Sequence, residues 1–283
     1  MLSYILFADD TNVLYSNRNF NNLIDTVNSE LPKLAKWFNC NKLSLNLTKT
    51  NYIFFRNPGT FLENNCNISI NGHQIERKMN TKFLGVTVDQ YLNFNQQCDN
   101  IIKQISKSIG IMHKLKYTLP LHAMRLLYNS LVSSQLSYCN IVWVKSSKKN
   151  VDSLLLLQKK AVRLCSGSHY LAHTNPLFHK LRILKVSDIN YLQTAIFMFK
   201  LKQNLLPSKF QSMFQRNEEI HSHNTRNSCN FHLFNPKTSL AHRSIRHSGP
   251  DIWHSLPEEI KKCSSLYSFK ATLKKHILSS YNN

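Results

Sequence analysis

Two adjacent carboxylates near the start of the sequence are the residues best suited to chemistry. Asp9 and Asp10 interrupt an apolar stretch, with residues 4–8 before them and 13–15 after them. Aromatic and β-branched residues favour strands, whereas Asp and Asn favour turns, so the pattern predicts a hairpin with acid at its tip. Two like charges side by side repel each other unless a cation neutralises them, and Mg²⁺ prefers carboxylate and phosphate oxygens. The pair therefore indicates a magnesium site, and the alternative is a solvated acidic turn.

The overall charge points to a polyanionic partner. The 283 residues include 36 Lys and Arg against 15 Asp and Glu, a formal net charge of +21, which exceeds what solubility requires. Residues 1–60 carry six basic and four acidic side chains, whereas residues 61–150 carry eleven and four. This is the distribution expected when a cation site is followed by a surface that holds phosphate groups.

Hydrophobic periodicity predicts the elements that position the acidic hairpin. Apolar residues recur at helical spacing over residues 20–38, which predicts one amphipathic helix that Pro32 kinks or divides. Alternation around Asn71-Gly72 predicts a second hairpin, because Asn-Gly supplies the positive φ angles of a two-residue turn. Strands are expected over residues 52–55 and 82–89. Helices are expected from about residue 95 and over about 121–135, 151–163, 186–202 and 266–278.

Several of these segments resemble, in the same order, the motifs of reverse transcriptases of non-LTR (jockey-like) retrotransposons. Phe7-Ala8-Asp9-Asp10 resembles the catalytic Phe/Tyr-x-Asp-Asp box, motif C. Residues 43–50, which read Leu-x-Leu-Asn-x-x-Lys-Thr, resemble motif D, and residues 82–89 resemble motif E, the primer grip. The post-thumb segment of the family, a Tyr/Trp strand and then a Leu-Gln-Lys-Lys-Ala helix, resembles residues 138–143 and 151–163. The family's C-terminal region resembles the last eighty residues, which contain 223–226, 248–257 and a final basic helix over about 266–278.

The resemblance implies an α+β fold with a partial polymerase palm. Residues 1–94 would form the C-terminal half of the palm, with a small antiparallel sheet and one helix. Residues 95–137 would form an α-helical thumb-like segment, and residues 138–283 a basic, mostly helical C-terminal region. The implied partners are an RNA template, a DNA primer and deoxynucleotide triphosphates.

The same resemblance assigns roles to individual residues. Two Mg²⁺ ions would catalyse nucleotidyl transfer, with Asp9 as a direct ligand and Asp10 as a second or supporting one. Lys49 would lie near the leaving pyrophosphate and act as its general acid, which suits an ammonium group. The primer grip would comprise Phe83, Leu84 and Gly85, and the thumb lysines that contact phosphate would be Lys103, Lys107, Lys114 and Lys116.

The two-metal scheme also needs a third aspartate, from motif A, and the fingers that bind the nucleotide. Neither is recognisable in this sequence. We therefore expect a fragment of an RNA-directed DNA polymerase that is inactive alone. The alternatives are a nucleic-acid-binding module without catalysis and a decayed transposon remnant.

The seven cysteines are scattered and form no Cys-x-x-Cys pair. This usage is typical of reduced core thiols in an intracellular protein, here expected in the nucleus, the cytoplasm or both. Cys165, His169 and His173, with His179 further on, could ligate zinc, but their spacing matches no common zinc module, and polar loop histidines are the default interpretation. No apolar run is long enough to predict a membrane span.

Overall fold

The structure is a computed structural model that describes residues 2–60, 67–220 and 230–282. It divides into two compact units. The first, called here the N-terminal unit, comprises Met1–Phe83 and Asp89–Tyr91. The second, the helical unit, comprises Leu84–Val88 and Leu92–Asn283. The fold therefore mixes strands and helices, as predicted, with helix dominating the second unit.

Short strand pairs and one long helix make up the first part of the chain. The elements are β1 (Ser3–Phe7), β2 (Asp10–Leu14), α1 (Phe20–Cys40), β3 (Asn51–Tyr52), β4 (Ser69–Ile70), β5 (His73–Gln74), β6 (Glu76–Arg77), β7 (Asn80–Phe83) and β8 (Val86–Asp89). In place of the single small sheet that was predicted, the described residues form four separate two-stranded sheets. The pairs β1–β2 and β4–β5 are antiparallel, whereas β3 and β6 are parallel.

Helix α1 supplies two of the five buried residues in the small core of the N-terminal unit. Its N-cap is Asn19, whose side chain accepts a hydrogen bond from the Asn22 amide at 3.1 Å. Leu31 and Ala35 are buried against three isoleucines from the second hairpin and its flanks: Ile68, Ile70 and Ile75. Pro32 does not divide the helix, which runs without a break for 21 residues. The predicted hairpin at Asn71-Gly72 is confirmed, with φ angles of 50° and 82° at the two turn residues.

Fourteen α-helices lie in the described residues, and all except α1 belong to the helical unit. They are α2 (Asn95–Leu115), α3 (Leu121–Tyr128), α4 (Ser134–Ser137), α5 (Asn140–Trp143), α6 (Lys148–Ser166), α7 (Asn175–Leu181), α8 (Val186–Lys202), α9 (Ser208–Gln211), α10 (Asn217–Ile220), α11 (Ser239–Arg243), α12 (Ile245–Ser255), α13 (Glu258–Lys261) and α14 (Leu266–Ser279). Helix α8 is largely buried and packs against α5, α6, α12 and α14, so it forms the centre of this unit. Its predicted bounds are confirmed.

Four predicted elements differ from the structure. The strand expected over residues 52–55 is limited to β3, and the strand expected over residues 82–89 is the pair β7 and β8, joined by a turn. The helix expected over residues 121–135 is α3 followed by a π-helical turn, Asn129–Ser133, and then by α4. The strand expected over residues 138–143 is instead the helical turn α5, which starts after Cys139 takes a left-handed φ of 47°. This turn buries Trp143 completely, and the indole Nε1 donates to the Tyr138 carbonyl at 2.8 Å. A short apolar run does not distinguish strand from buried helix, and tertiary packing decides here.

A buried glutamine joins three helices of the helical unit. The side chain of Gln158 in α6 is fully buried, and its Nε2 donates to the Tyr128 hydroxyl at 2.9 Å and to the Leu184 carbonyl at 2.8 Å. Its Oε1 accepts from the Val186 amide at the start of α8 at 2.9 Å. Each polar group of this side chain is thus satisfied without water, and the network fixes α3, α6 and α8 against one another.

The cysteines divide into buried and accessible thiols. Cys98 and Cys165 are buried as predicted, and burial raises the pKa of the Cys165 thiol to about 11. The prediction of a core position is wrong for Cys40, which is exposed at the end of α1. Cys66 and Cys229 lie outside the described residues, as does the segment 223–226. None of the described helices is both long and apolar enough to cross a membrane.

Candidate metal and nucleic-acid site

The acidic pair lies at the tip of the first hairpin. The register pairs Phe7 with Asp10, so Ala8 and Asp9 are the two turn residues. Ala8 adopts a left-handed φ of 51°, which brings β2 back alongside β1. Asp9 and Asp10 are both exposed to solvent. The predicted hairpin with acid at its tip is therefore confirmed.

The chemistry of these two side chains fits a hard divalent cation only in part. Adjacent carboxylates supply oxygen ligands, and Mg²⁺ commonly binds through one or two carboxylates together with water and substrate phosphates. Within the described part of the chain, no group of three or more His, Cys, Asp or Glu side chains is arranged to hold a metal ion. Asp9 and Asp10 can thus contribute part of a magnesium site and leave its other ligands to water, substrate or further protein groups.

Strand β1 presents an apolar surface on both of its faces. Four consecutive side chains, Tyr4, Ile5, Leu6 and Phe7, are exposed by 49%, 40%, 64% and 59%. A two-stranded hairpin is marginally stable in water, and contiguous exposed apolar side chains mark surfaces that other groups cover. The acidic tip therefore stands at the end of a strand pair with uncovered apolar side chains.

Lys49 lies in a turn that the Asn46 side chain organises. The Lys49 amide donates to the carbonyl and to the side-chain oxygen of Asn46, both at 3.2 Å. The Thr50 hydroxyl donates to the same carbonyl at 2.9 Å. The leucines on either side of Asn46 in the sequence, Leu45 and Leu47, pack against the small core of the N-terminal unit. The two leucines therefore attach this segment to the core, and Asn46 closes the turn. The Lys49 side chain is exposed to solvent.

Leu84 and Gly85 form the turn between β7 and β8, and they group with the helical unit. Both have positive φ angles, 45° and 82°, and for leucine this conformation is strained. The Tyr138 hydroxyl donates to the Leu84 carbonyl at 2.5 Å. A Cβ added to Gly85 would lie 3.3 Å from Cε1 of the Tyr138 ring. No local sequence pattern indicates this contact, because Tyr138 lies 54 positions after Leu84. Phe83, the third predicted grip residue, is half-buried and groups with the N-terminal unit.

Gly85→Ala is expected to destabilise the protein by about 1–2 kcal/mol, because alanine is strained at this φ and its Cβ would press on the Tyr138 ring. Gly110→Ala is the matched control, since Gly110 lies inside α2 with nothing within 4 Å of its added Cβ. That change is expected to stabilise the protein by up to about 1 kcal/mol. Urea unfolding of both variants measures the difference, and shifts of the same sign would contradict the expected strain at Gly85.

Three of the four predicted thumb lysines form a row along α2. Lys103, Lys107 and Lys114 fall within about 40° of one another on an ideal helix, and all three are exposed. The opposite face buries Cys98, Ile101, Ile105 and Met112. Lys116 follows the end of α2, and its Nζ lies 4.5 Å from the ring centroid of the exposed Tyr117. The three lysines on the helix itself, Lys103, Lys107 and Lys114, are called here the lysine row of α2. They present positive charge along one solvent face.

Comparisons with known proteins show which class of protein this chain resembles. Among curated proteins, the chain resembles RNA-directed DNA polymerases of mobile elements, and the predicted resemblance to jockey-like reverse transcriptases is thereby confirmed. It is 25% identical over 190 residues to the RNA-directed DNA polymerase from mobile element jockey of Drosophila melanogaster, a match that covers 64% of this chain and 20% of the relative. It is 24% identical over 205 residues to a protein of the same species described as a probable RNA-directed DNA polymerase from transposon BS, covering 70% and 22%. The jockey protein of Drosophila funebris is 23% identical over 185 residues, covering 64% of this chain and 20% of the relative.

These matches cover only part of each relative. The chain spans about a fifth of the length of the curated relatives it matches. No protein-family model matches the sequence. No solved structure matches it either.

Proposed function

We propose that this chain is a segment of a non-LTR retrotransposon reverse transcriptase that contributes carboxylates to the metal site and binds the template–primer. The observation that carries the proposal is the pair Asp9 and Asp10 at a hairpin tip, in a chain whose curated relatives are RNA-directed DNA polymerases. Residues 1–94 are assigned to the palm, 95–137 to the thumb and 138–283 to a basic C-terminal region. When bound, Mg²⁺ would stabilise the charge that develops on phosphate oxygens during nucleotidyl transfer.

Each of the other predicted residues has a proposed task. The exposed Lys49 side chain can protonate a departing phosphate oxygen. The Leu84-Gly85 turn exposes backbone at Gly85, which a primer end can approach. The lysine row of α2 and Lys116 can neutralise backbone phosphates of an RNA–DNA duplex without reading its sequence.

The chain alone is expected not to polymerise. Two-metal transfer needs a third carboxylate, and the described residues place none in a metal-holding group with Asp9 and Asp10. A primer-extension assay with Mg²⁺, template–primer and deoxynucleotide triphosphates measures this directly. Incorporation by the chain that disappears in Asp9→Ala would contradict the expected inactivity.

Metal binding tests the carboxylate pair independently of turnover. Mn²⁺, used as a paramagnetic substitute for Mg²⁺, is expected to broaden resonances of the hairpin turn in the wild type and not in Asp9→Asn/Asp10→Asn. The matched control is Glu218→Gln/Glu219→Gln, which neutralises another exposed, adjacent acidic pair. Broadening at the hairpin that persists in the aspartate variant, or that the control also removes, would refute the assigned metal role.

A further inference from the structure

Four basic side chains from three parts of the helical unit are grouped around Lys274, whose charge the other three repel. They are Arg125 in α3, Arg182 directly after α7, and Lys270 and Lys274, one turn apart on α14. These four residues are called here the cationic cluster. None of them belongs to the lysine row of α2.

Hydrogen bonds in the core explain why these residues converge. Gln158 joins Tyr128, one helical turn after Arg125, to the Leu184 carbonyl, two positions after Arg182. The amide of the next residue, Lys185, donates to the Tyr281 hydroxyl at 3.1 Å, and Tyr281 follows Lys274 by two turns. The Tyr281 ring also packs edge-on against Phe178 of α7, with centroids 6.2 Å apart. The ends of α3, α7 and α14 are therefore held at one place.

Within the described residues, the positive charges of the cationic cluster are not balanced by paired carboxylates. Lys274 is half-buried, and its pKa is lowered first by burial and then by the positive charges of Arg125, Lys270 and Arg182. Across residues 2–60, 67–220 and 230–282, no member of the cationic cluster forms an ion pair with a carboxylate.

Two further charged side chains contact Tyr281. One is the carboxylate of Asp188, which accepts a hydrogen bond from the Tyr281 hydroxyl. A fifth cation, Lys185, stands 4.3 Å over the Tyr281 ring. Packing thus forces several like charges together, which is costly unless an anion joins them.

We propose that the cationic cluster is a binding site for backbone phosphates of a nucleic acid, separate from the lysine row of α2. The inference rests on the proposed function, which supplies the nucleic acid, and it adds a second region of contact. Two guanidinium forks and two ammonium groups match phosphate oxygens in charge and in hydrogen-bond donors. They contact no base edge in such a complex, so the binding is independent of nucleotide sequence.

The test compares two neighbouring lysines of α14. Lys274→Gln removes a cluster charge, whereas Lys275→Gln removes an exposed charge that lies about 100° further round the helix. The affinity of the full chain for an RNA–DNA duplex is measured over a range of salt concentrations. Lys274→Gln is expected to reduce the slope of log affinity against log salt by about 0.7–0.9, the contribution of one phosphate contact, and Lys275→Gln by much less.

A second measurement uses pyrophosphate alone. Pyrophosphate is expected to raise the melting temperature of the wild type and of Lys275→Gln but not that of Lys274→Gln. Without added polyvalent anion, Lys274→Gln is expected to melt at or above the wild-type temperature, because a repelled, half-buried charge has been removed. This result also shows that a loss of binding by Lys274→Gln is not a loss of folding.

The outcomes separate the two proposals. Duplex binding with the same salt slope in wild type and Lys274→Gln overturns the cationic cluster as a contact region and leaves the proposed function standing. Wild-type protein that does not bind duplex even at low salt overturns the proposed function. In that case, selective stabilisation by pyrophosphate still supports a phosphate site, and equal stabilisation of wild type and Lys274→Gln refutes it.

Discussion

Replacing Gln158 by leucine is expected to lower the free energy of unfolding of the helical unit by about 3–5 kcal/mol. Leucine is similar in size and apolar, so the loss does not come from a large cavity. It comes from three buried groups left without their partner: the Tyr128 hydroxyl, the Leu184 carbonyl and the Val186 amide. A buried donor or acceptor that loses its hydrogen bond costs about 1–3 kcal/mol.

Denaturant unfolding followed by tryptophan fluorescence suits this measurement. Trp143 and Trp253 are both buried in the helical unit, so their emission changes when that unit opens. Gln104→Leu is the control, since Gln104 is exposed on α2 and its replacement is expected to change stability by less than about 0.5 kcal/mol. A loss below about 1 kcal/mol for Gln158→Leu would mean that the network reorganises around other partners.

The expected result also gives a physical reason for one of the recognised sequence patterns. In Leu-Gln-Lys-Lys-Ala, Gln158 points into the core and Ala161 is fully buried, whereas Lys160 is exposed. A glutamine between leucines and lysines carries no local sign that it is buried. The pattern could be recognised from sequence, but the task of its glutamine required the three-dimensional contacts.

Local chemistry was enough to predict several parts of the fold. The period of apolar residues predicted α8 and the start of α2, and Asn71-Gly72 predicted its turn. The acidic hairpin followed from strand-forming residues on both sides of Asp9 and Asp10. These features depend on residues within a few positions of one another, so a single sequence contains the necessary information.

Contacts between distant segments were not predictable in this way. The bond from Tyr138 to Leu84 and the convergence of Arg125, Arg182 and Lys274 join residues that only the packed helices bring together. Each of these side chains, taken alone, reads as an ordinary surface residue. The acidic tip is therefore predictable from the sequence, whereas the contact that holds the Leu84-Gly85 turn and the convergence of the basic side chains of the helical unit are not.

Replacing Trp253 by alanine is expected to destabilise the helical unit by about 3–5 kcal/mol. The indole is 2% exposed and stacks on Phe269 of α14, with ring centroids 6.1 Å apart and an interplanar angle of 23°. It also meets Phe231 edge-on, with centroids 6.1 Å apart. Phe269 in turn stacks on Phe199 of α8 at 4.4 Å, so removal of the indole opens a cavity beside the central helix.

Trp37→Ala is the matched control, because Trp37 in α1 is 51% exposed and its removal is expected to cost much less. Unfolding followed by far-UV circular dichroism avoids any dependence on tryptophan emission. Equal losses in the two variants would contradict a core role for Trp253.

A selective loss in Trp253→Ala would assign a structural task to the segment around Ser248-Gly249-Pro250. There α12 approaches α8 so closely that a Cβ added to Gly249 would lie 2.6 Å from the Met198 sulfur. The segment then acts by closing the aromatic core over α8, which holds α14 and its two cluster lysines in place.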